Sequence, residues 1–296
     1  MTHKDEKIVV IGAGFMGAGI AQVCIQNNFP CLLIDSDPDG LRRAVVHIEA
    51  SLTRLSQKGV LTQAPKRVMA HLDIRNCLVL PPDPAWVIEA VYEDLALKTE
   101  LLSQVEAQVG PETLLATNTS SIPIDRLADS LARPERFLGL HFFGPVPLMG
   151  LVEVVRGPRT CQAAYDKGIS FIQALGKHPV GVQRDLPGFV MNRVFAAAFR
   201  ECQDLVAGGV ARAEDIDAGM RLGYGWRIGP FEIADNAGLD TVARINRSMK
   251  AQGEAHLFTK ASLVEDLVAE GKLGRKSGEG FYRYDRQGGR KSDGTT

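Results

Sequence analysis

The front of the chain runs from a string of apolar residues into a glycine-rich turn: Ile8-Val9-Val10-Ile11-Gly12-Ala13-Gly14-Phe15-Met16-Gly17-Ala18-Gly19-Ile20-Ala21. The first four residues read as a buried β-strand, and those after Gly14 as an α-helix. Each glycine has a physical task. Gly12 permits a sharp turn, Gly14 leaves backbone N–H groups uncovered, and Gly17 lets the helix pack closely on the strand. The helix start adds unpaired N–H donors and the positive end of a dipole, which together suit a pyrophosphate. About twenty residues on, a second apolar strand, Cys31-Leu32-Leu33-Ile34, ends in Asp35. A carboxylate there accepts hydrogen bonds from a ribose diol and repels a 2′-phosphate, so the pattern points to NAD rather than NADP. The glycine fingerprint by itself is weak, and an ordinary glycine-rich turn of another doubly wound protein would share it. The strand, the helix and the acidic strand end together make it specific.

Composition bounds the rest. With 296 residues, 45% apolar and 23% charged, the chain suits a soluble globular protein of two modest domains or one large one. A net charge of −1 gives no reason to expect a nucleic-acid or membrane-surface partner. No apolar run approaches the ~20 residues that cross a bilayer. The polar start, Met1-Thr2-His3-Lys4-Asp5-Glu6-Lys7, has no signal-peptide apolar core. The five cysteines (Cys24, Cys31, Cys77, Cys161, Cys202) are odd in number and lack CxxC spacing. They read as reduced thiols of a cytoplasmic protein, with neither a disulfide frame nor a metal site.

The first part alternates strands and helices. Pro38 opens a helix to about Lys58, with Leu41, Val45, Ile48, Leu52 and Leu55 on one face, and Gly59 ends it. Strands are expected at 86–91, 114–118, 137–142, 151–155 and 179–182, with helices at 95–109 and 163–175. Such alternation argues for a largely parallel sheet covered by helices, an α/β Rossmann-like fold, over 1–185. The pattern changes at Arg184-Asp185-Leu186-Pro187-Gly188, a plausible hinge. Only helical periodicity follows (189–208, 213–222, 230–252 with breaks, 263–270), which makes 186–284 an all-α domain. The polar, glycine-rich stretch 285–296 is expected to be a disordered tail.

A nicotinamide cofactor accepts hydride, so the protein must supply a group that takes a hydroxyl proton, and histidine suits this near neutrality. His3 lies in the polar start, His47 and His71 in or beside solvated helices, His178 at a strand start and His256 in a polar loop. His141 alone ends an apolar strand, where chemistry collects in open α/β sheets. Taken alone, a histidine there is more often structural. Glu153, twelve residues later, changes that. The turn Gly144-Pro145-Val146-Pro147 can fold 151–155 back beside 138–142 and bring the carboxylate against one imidazole nitrogen. A charge inside Leu-Val-Glu-Val-Val is costly without a partner; the alternative is an edge strand with Glu153 facing solvent. Asn118-Thr119-Ser120-Ser121 follows a strand end, where Ser120 can hydrogen-bond a substrate oxygen, or the four residues can cap a following helix. Asn192, in the apolar run 189–195, suits either a substrate contact or a buried helix position.

With these motifs in place, the chain resembles the 3-hydroxyacyl-CoA dehydrogenase family over nearly its whole length. The stretches that carry the resemblance are 10–23, 88–94 with Lys98, 116–121, 141–155, 185–194, 229–240 and 272–282. The resemblance implies an NAD-binding domain followed by a helical domain used for homodimerisation. It also implies reversible oxidation of the (S)-3-hydroxyl of an acyl-CoA in fatty-acid and lipid metabolism. Carried over residue by residue, His141 is the base, Glu153 its orienting carboxylate, and Ser120 and Asn192 substrate contacts. The cofactor set is Gly12, Gly14, Phe15, Met16, Gly17, Asp35, Ala90, Glu93, Lys98 and Asn118. Ser51 and Lys58 match positions that hold the CoA moiety, although Lys58 also fits as a plain helix-end cation.

The chain departs from the family twice. The family pattern His-Phe-Phe-Asn-Pro is here His141-Phe142-Phe143-Gly144-Pro145, which would widen the pocket or free the loop. Arg227 stands where the family often has proline; it suits a solvated turn, or a distal substrate carboxylate if it faces a cleft. These departures keep open an NAD-dependent dehydrogenase acting on a free hydroxy acid, sugar acid or ring alcohol.

Overall fold

A computed structural model of the chain describes residues 6–285 and 287–291, so the expectations for 1–5, His3 among them, lie outside the described residues. The chain divides between Leu186 and Pro187 into two compact units.

The first unit runs β1 (Ile8–Ile11), α1 (Phe15–Gln26), β2 (Cys31–Ile34), α2 (Pro38–Gln57), α3 (Pro65–Met69), β3 (Leu72–Arg75), β4 (Trp86–Glu89) and α4 (Leu95–Glu106). It continues with β5 (Leu114–Thr117), α5 (Ile124–Ala128), β6 (Phe137–Phe142), β7 (Leu151–Val155), α6 (Gln162–Ala174) and β8 (His178–Val182). The strands form one sheet in the order β3-β2-β1-β4-β5-β6-β7-β8. Only the β6–β7 pair is antiparallel. Strands β1, β2, β4 and β5 are buried at every residue, as expected of a parallel sheet covered on both faces. Strand order reverses between β1 and β4, and ligands of such sheets sit at that switch point, beyond the strands' C-terminal ends. Register lines those ends up: Ile11 is level with Ile34 and Glu89, and Glu89 with Thr117. The next residues, Gly12, Asp35, Ala90 and Asn118, therefore form a row along one sheet edge.

Three short elements of this unit, α3, β3 and α5, lie outside the sequence reading. The outermost strand, β3, is mostly exposed and carries Asp73 and Arg75, so it lacks the apolar signature of the inner strands.

The second unit contains α7 (Met191–Ala207), α8 (Ala213–Tyr224), α9 (Pro230–Ala237), α10 (Leu239–Ala251) and α11 (Leu263–Ala269). Helix α7 starts at Met191 rather than Phe189 because Gly188 and Phe189 both take positive φ, +79° and +49°. Gly238, at φ +88°, separates α9 from α10. The core is built on Phe199, Phe231, Leu239, Val264 and Tyr282. Two buried carboxylates tie it together. Asp217 accepts from the backbone N–H of Phe231 and Glu232, at the start of α9, and from the Tyr282 hydroxyl. Asp235 accepts from the backbone N–H of Phe281 and Tyr282 and from the Tyr284 hydroxyl.

The expected unstructured tail is corrected as far as Lys291. Tyr284 bridges to Arg290, whose guanidinium lies 3.5 Å over the Tyr282 ring. Asp285 accepts from the N–H groups of Gln287 and Gly289, closing a tight turn. Arg286 and residues 292–296 lie outside the described residues. No helix among the described residues is long and apolar enough to cross a membrane.

Asp217→Ala would leave two helix N–H groups and a tyrosine hydroxyl without their acceptor. The expected loss is about 2–4 kcal/mol, read as a lower urea midpoint; an unchanged midpoint would show that the cap contributes nothing.

Candidate active site

The nucleotide turn is held by backbone contact. Gly12 takes φ +106°, and a β-carbon on it would lie 2.6 Å from the Ala90 carbonyl oxygen. A β-carbon on Gly17 would lie 1.8 Å from the Gly12 carbonyl oxygen, so the third glycine serves the turn itself. Gly14 differs: nothing lies within 4 Å of where its β-carbon would be. No protein contact requires glycine there, whereas an approaching pyrophosphate would. Asp35 braces the turn, accepting from the Ala13 N–H at 2.6 Å through Oδ2 and from the Asp37 N–H at 2.9 Å through Oδ1. Phe15 is 62% exposed, and Met16 packs partly buried against the core.

Strand β6 presents His141 directly opposite Glu153 of β7. Residues paired this way in an antiparallel ladder project to the same side of the sheet. His141 Nδ1 lies 2.7 Å from Glu153 Oε2. An ionised carboxylate only accepts, so Nδ1 carries the hydrogen of this bond and the imidazole lone pair sits on Nε2. The solvent-facing alternative for Glu153 fails: β8 covers β7, and Glu153 is fully buried. The Phe143 ring packs 4.5 Å from the imidazole, centroid to centroid. Among the other described histidines, His47, His178 and His256 are exposed and His71 is half-buried.

The Asn118–Ser121 segment is organised by distant groups. Asn118 Oδ1 accepts from the Phe142 N–H, one residue beyond His141, at 2.9 Å. Glu93 Oε1 accepts from the Thr119 hydroxyl (2.6 Å), the Ser120 N–H (3.0 Å) and both the N–H and hydroxyl of Ser121. Thr119 Oγ1 accepts from the Ile122 N–H. Helix α5 begins after Pro123 without a side-chain cap, which corrects the capping alternative. The Ser120 hydroxyl has no protein hydrogen-bond partner among the described residues.

Lys98 is enclosed, 1% exposed, and its ammonium meets Glu89 at 2.7 Å, Glu93 at 3.4 Å and the Val91 carbonyl. Lys98, a member of the expected cofactor set, thus lies directly beside Glu93, which accepts from the Ser120 and Ser121 N–H groups. Burial pushes the Glu93 carboxyl up, but the Lys98 charge and the hydrogen bonds from 119–121 outweigh it and hold the group below its ordinary value. Glu89 was absent from the candidate residues. It is 1% exposed and accepts from Lys98, from the Val91 N–H and from the Thr117 hydroxyl. The signal that singles out Glu153, a charge in an otherwise apolar strand, applies equally to Glu89, the last residue of β4.

Lys177, also missed, donates to the Val146 and Met149 carbonyls at 2.7 and 2.6 Å. It clamps the loop that follows His141, and burial pushes its ammonium below the usual lysine range. Nothing in Gly176-Lys177-His178 announces this.

Family models match nearly the whole chain: 3-hydroxyacyl-CoA dehydrogenase, NAD binding domain, over 7–186, and 3-hydroxyacyl-CoA dehydrogenase, C-terminal domain, over 188–284. The chain belongs to the 3-hydroxyacyl-CoA dehydrogenase family. As a member of that family it is an NAD-dependent oxidoreductase. Mitochondrial hydroxyacyl-coenzyme A dehydrogenase of Mus musculus is 41% identical over 286 residues, covering 94% of this chain and 90% of the relative. A probable 3-hydroxybutyryl-CoA dehydrogenase of Deinococcus radiodurans is 42% identical, covering 94% of this chain and all of the relative. The crystal structure of (S)-3-hydroxybutyryl-CoA dehydrogenase from Ralstonia eutropha matches with a TM-score of 0.86 at 36% identity, over 95% of this chain and 99% of that one.

The family's remaining positions are distributed as follows. Ser51 Oγ accepts from Gln22 Nε2 at 3.0 Å, and Lys58 is the exposed C-cap of α2. Seven residues apart, both lie on one helix face, with Arg54 between them. Asn192 stands in the first turn of α7, in the second unit. Its Nδ2 is buried without a partner among the described residues. Arg227 is exposed in the turn between α8 and α9.

The Glu93 shift has a pH consequence. A carboxyl depressed by folding contributes stability above its unfolded value and loses it as pH falls through the folded one. Glu93→Gln is therefore expected to be less stable than the parent at neutral pH, with the gap closing only in acid. A gap independent of pH in denaturation curves would contradict this. Lys177→Met is expected to expose the amides of Gly144, Val146, Leu148 and Met149 to faster hydrogen exchange, leaving β1 to β5 protected; uniform exchange would deny the clamp.

Proposed function

We propose that this enzyme oxidises the 3-hydroxyl of a 3-hydroxyacyl-CoA to the 3-keto form, reversibly, with His141 as the base and Glu153 orienting it. The observation that carries this is the 2.7 Å His141–Glu153 pair, seated by strand register at the sheet edge that holds the nucleotide turn. The residues suit NAD: the open space at Gly14, the unpaired N–H groups opening α1 and the Asp35 carboxylate take its pyrophosphate and ribose. NAD, when bound, supplies the acceptor for the hydride leaving C3. His141 Nε2 takes the hydroxyl proton, and Glu153 stabilises the imidazolium that results. Ser120, its hydroxyl without a partner among the described residues, donates to the oxygen that becomes the ketone. Ser51 and Lys58 hold the CoA moiety, Lys58 by pairing with a phosphate.

Further readings belong to the same proposal. The enzyme acts in fatty-acid metabolism on the (S)-alcohol and forms a homodimer through its helical unit, as the family resemblance implies. A cytoplasmic setting is supported by the buried free thiols of Cys24, Cys31 and Cys202, and a small-molecule partner by the near-neutral charge. Gly144 does not favour the free-acid alternative. Phe15 and Met16 occupy the room beside it and Lys177 holds its loop, so the expected wider pocket or freed loop is corrected.

Absorbance at the NADH band tests the reading. Turnover with 3-hydroxybutyryl-CoA and little with free 3-hydroxybutyrate is expected; the reverse would transfer the enzyme to the free-acid class. His141→Gln should lower kcat roughly 10²–10⁴-fold with NAD affinity little changed, and parental turnover would remove His141 from the base role. Glu153→Gln should slow turnover and shift the acid limb of its pH profile, so an identical profile would dissolve the pairing.

A further inference from the structure

The glycine at 144, where the family pattern has asparagine, has a cause in this chain's own packing. A β-carbon on Gly144 would lie 2.6 Å from Cε1 and 3.3 Å from Cζ of Phe15, and 3.4 Å from Met16 Sδ. The edge of an aromatic ring thus fills the space a side chain at 144 would enter. That ring belongs to the first residue of α1 and is 62% exposed, open to a partner from solvent. Its position is bracketed on both sides. Gly14, next to it in sequence, opens the space for the pyrophosphate. Gly144, against it in space, follows His141 by three residues through Phe143, which packs on the imidazole. A hydride acceptor must lie between the phosphate-binding turn and the base, because one carbon gives its hydride to the cofactor while its hydroxyl gives a proton to His141. Phe15 and Gly144 line that interval.

We propose that Phe15 is an apolar platform for the nicotinamide-ribose half of NAD, and that residue 144 is glycine so that the ring can stand there. The two positions act as one steric pair. An asparagine at 144 and the present Phe15 conformation exclude each other, so this chain replaces an amide with an aromatic face beside the reacting centre. The ring meets the cofactor by dispersion and offset stacking, neither of which needs a polar partner. Only cofactor halves that reach past the pyrophosphate feel it.

The proposal assumes the base at His141 but is tested without turnover. NADH binding is followed by its fluorescence, and ADP, which lacks the nicotinamide-ribose half, by displacement of NADH. Phe15→Ala should weaken NADH roughly five- to tenfold and leave ADP unchanged. Gly144→Asn, by evicting the ring, should do the same. The double variant should bind NADH no more weakly than the weaker single variant. Equal weakening of NADH and ADP would make Phe15 a mere support of the phosphate turn and overturn the proposal, as would losses that multiply in the double variant. Should Gly144→Asn fail to fold, the NADH-to-ADP contrast in Phe15→Ala decides alone. His141→Gln, binding NADH as the parent does, keeps a failure of the base assignment apart from a failure of this one.

Discussion

One carboxylate governs the chemical end of the first unit. Glu153 is fully buried, in a strand covered on both sides by neighbours. An ion moved from water into such a place costs several kcal/mol unless it is paired. The pairing is with His141 across the β6–β7 ladder, and ladder register delivers it. A slip of one residue would send Glu153 to the opposite face and strand the charge among apolar neighbours. Leu140 opposite Val154 and Phe142 opposite Val152 hold the register from the alternate face. The apolar pattern of the two strands and the polar pair between them therefore enforce one another.

A second buried charge set does comparable work at the end of β4. Glu89 and Lys98 are each 1% exposed, and neither would be tolerable alone. Together with Glu93 they set the path of Thr119, Ser120 and Ser121, while Asn118 ties the same segment to Phe142. Ser120 is thereby positioned by residues from three different elements, none of them adjacent to it in sequence. Its hydroxyl stands outside this network although its backbone N–H does not.

Much of this was legible beforehand because long apolar runs and strong punctuation carry most of the fold. Helix α2, opened by Pro38 and closed by Gly59, and strands β6 and β7 fall where periodicity puts them. The His141–Glu153 partnership could be read from the cost of a charge in an apolar strand. Short or exposed elements escaped because they bury too little to leave a pattern: α3 and α5 span five residues each, and β3 is largely exposed. Other features escaped because they exist only in three dimensions. Capping is a local inference, and it misread 118–121, where the acceptor is Glu93, some 26 to 28 residues away. A lysine that clamps two carbonyls, as Lys177 does, has no signature at all in one dimension. The described part of the tail differs for another reason. Its composition resembles disorder, yet Asp285 and Arg290 give a short polar segment enough specific contact to take one form.

The glycine-rich turn and the His141 segment are read from sequence as separate motifs, and here close packing joins them. A glycine inside a helix costs about 1 kcal/mol relative to alanine, and α1 carries two, Gly17 and Gly19. The first is explained by the turn it overlies. The second lies outside the fingerprint and faces elsewhere: a β-carbon on Gly19 would stand 2.8 Å from the β-carbon of Val146. Val146 is 2% exposed, sits in the loop that follows His141, and has its carbonyl held by Lys177. Gly19 thus lowers helix propensity to seat the loop that follows His141 against the helix that follows the glycine-rich turn. With Gly144 meeting Phe15 one turn earlier on the same helix, two glycine contacts join the loop after His141 to α1. In both places the glycine lets the loop after β6 and helix α1 approach more closely than any larger residue would allow.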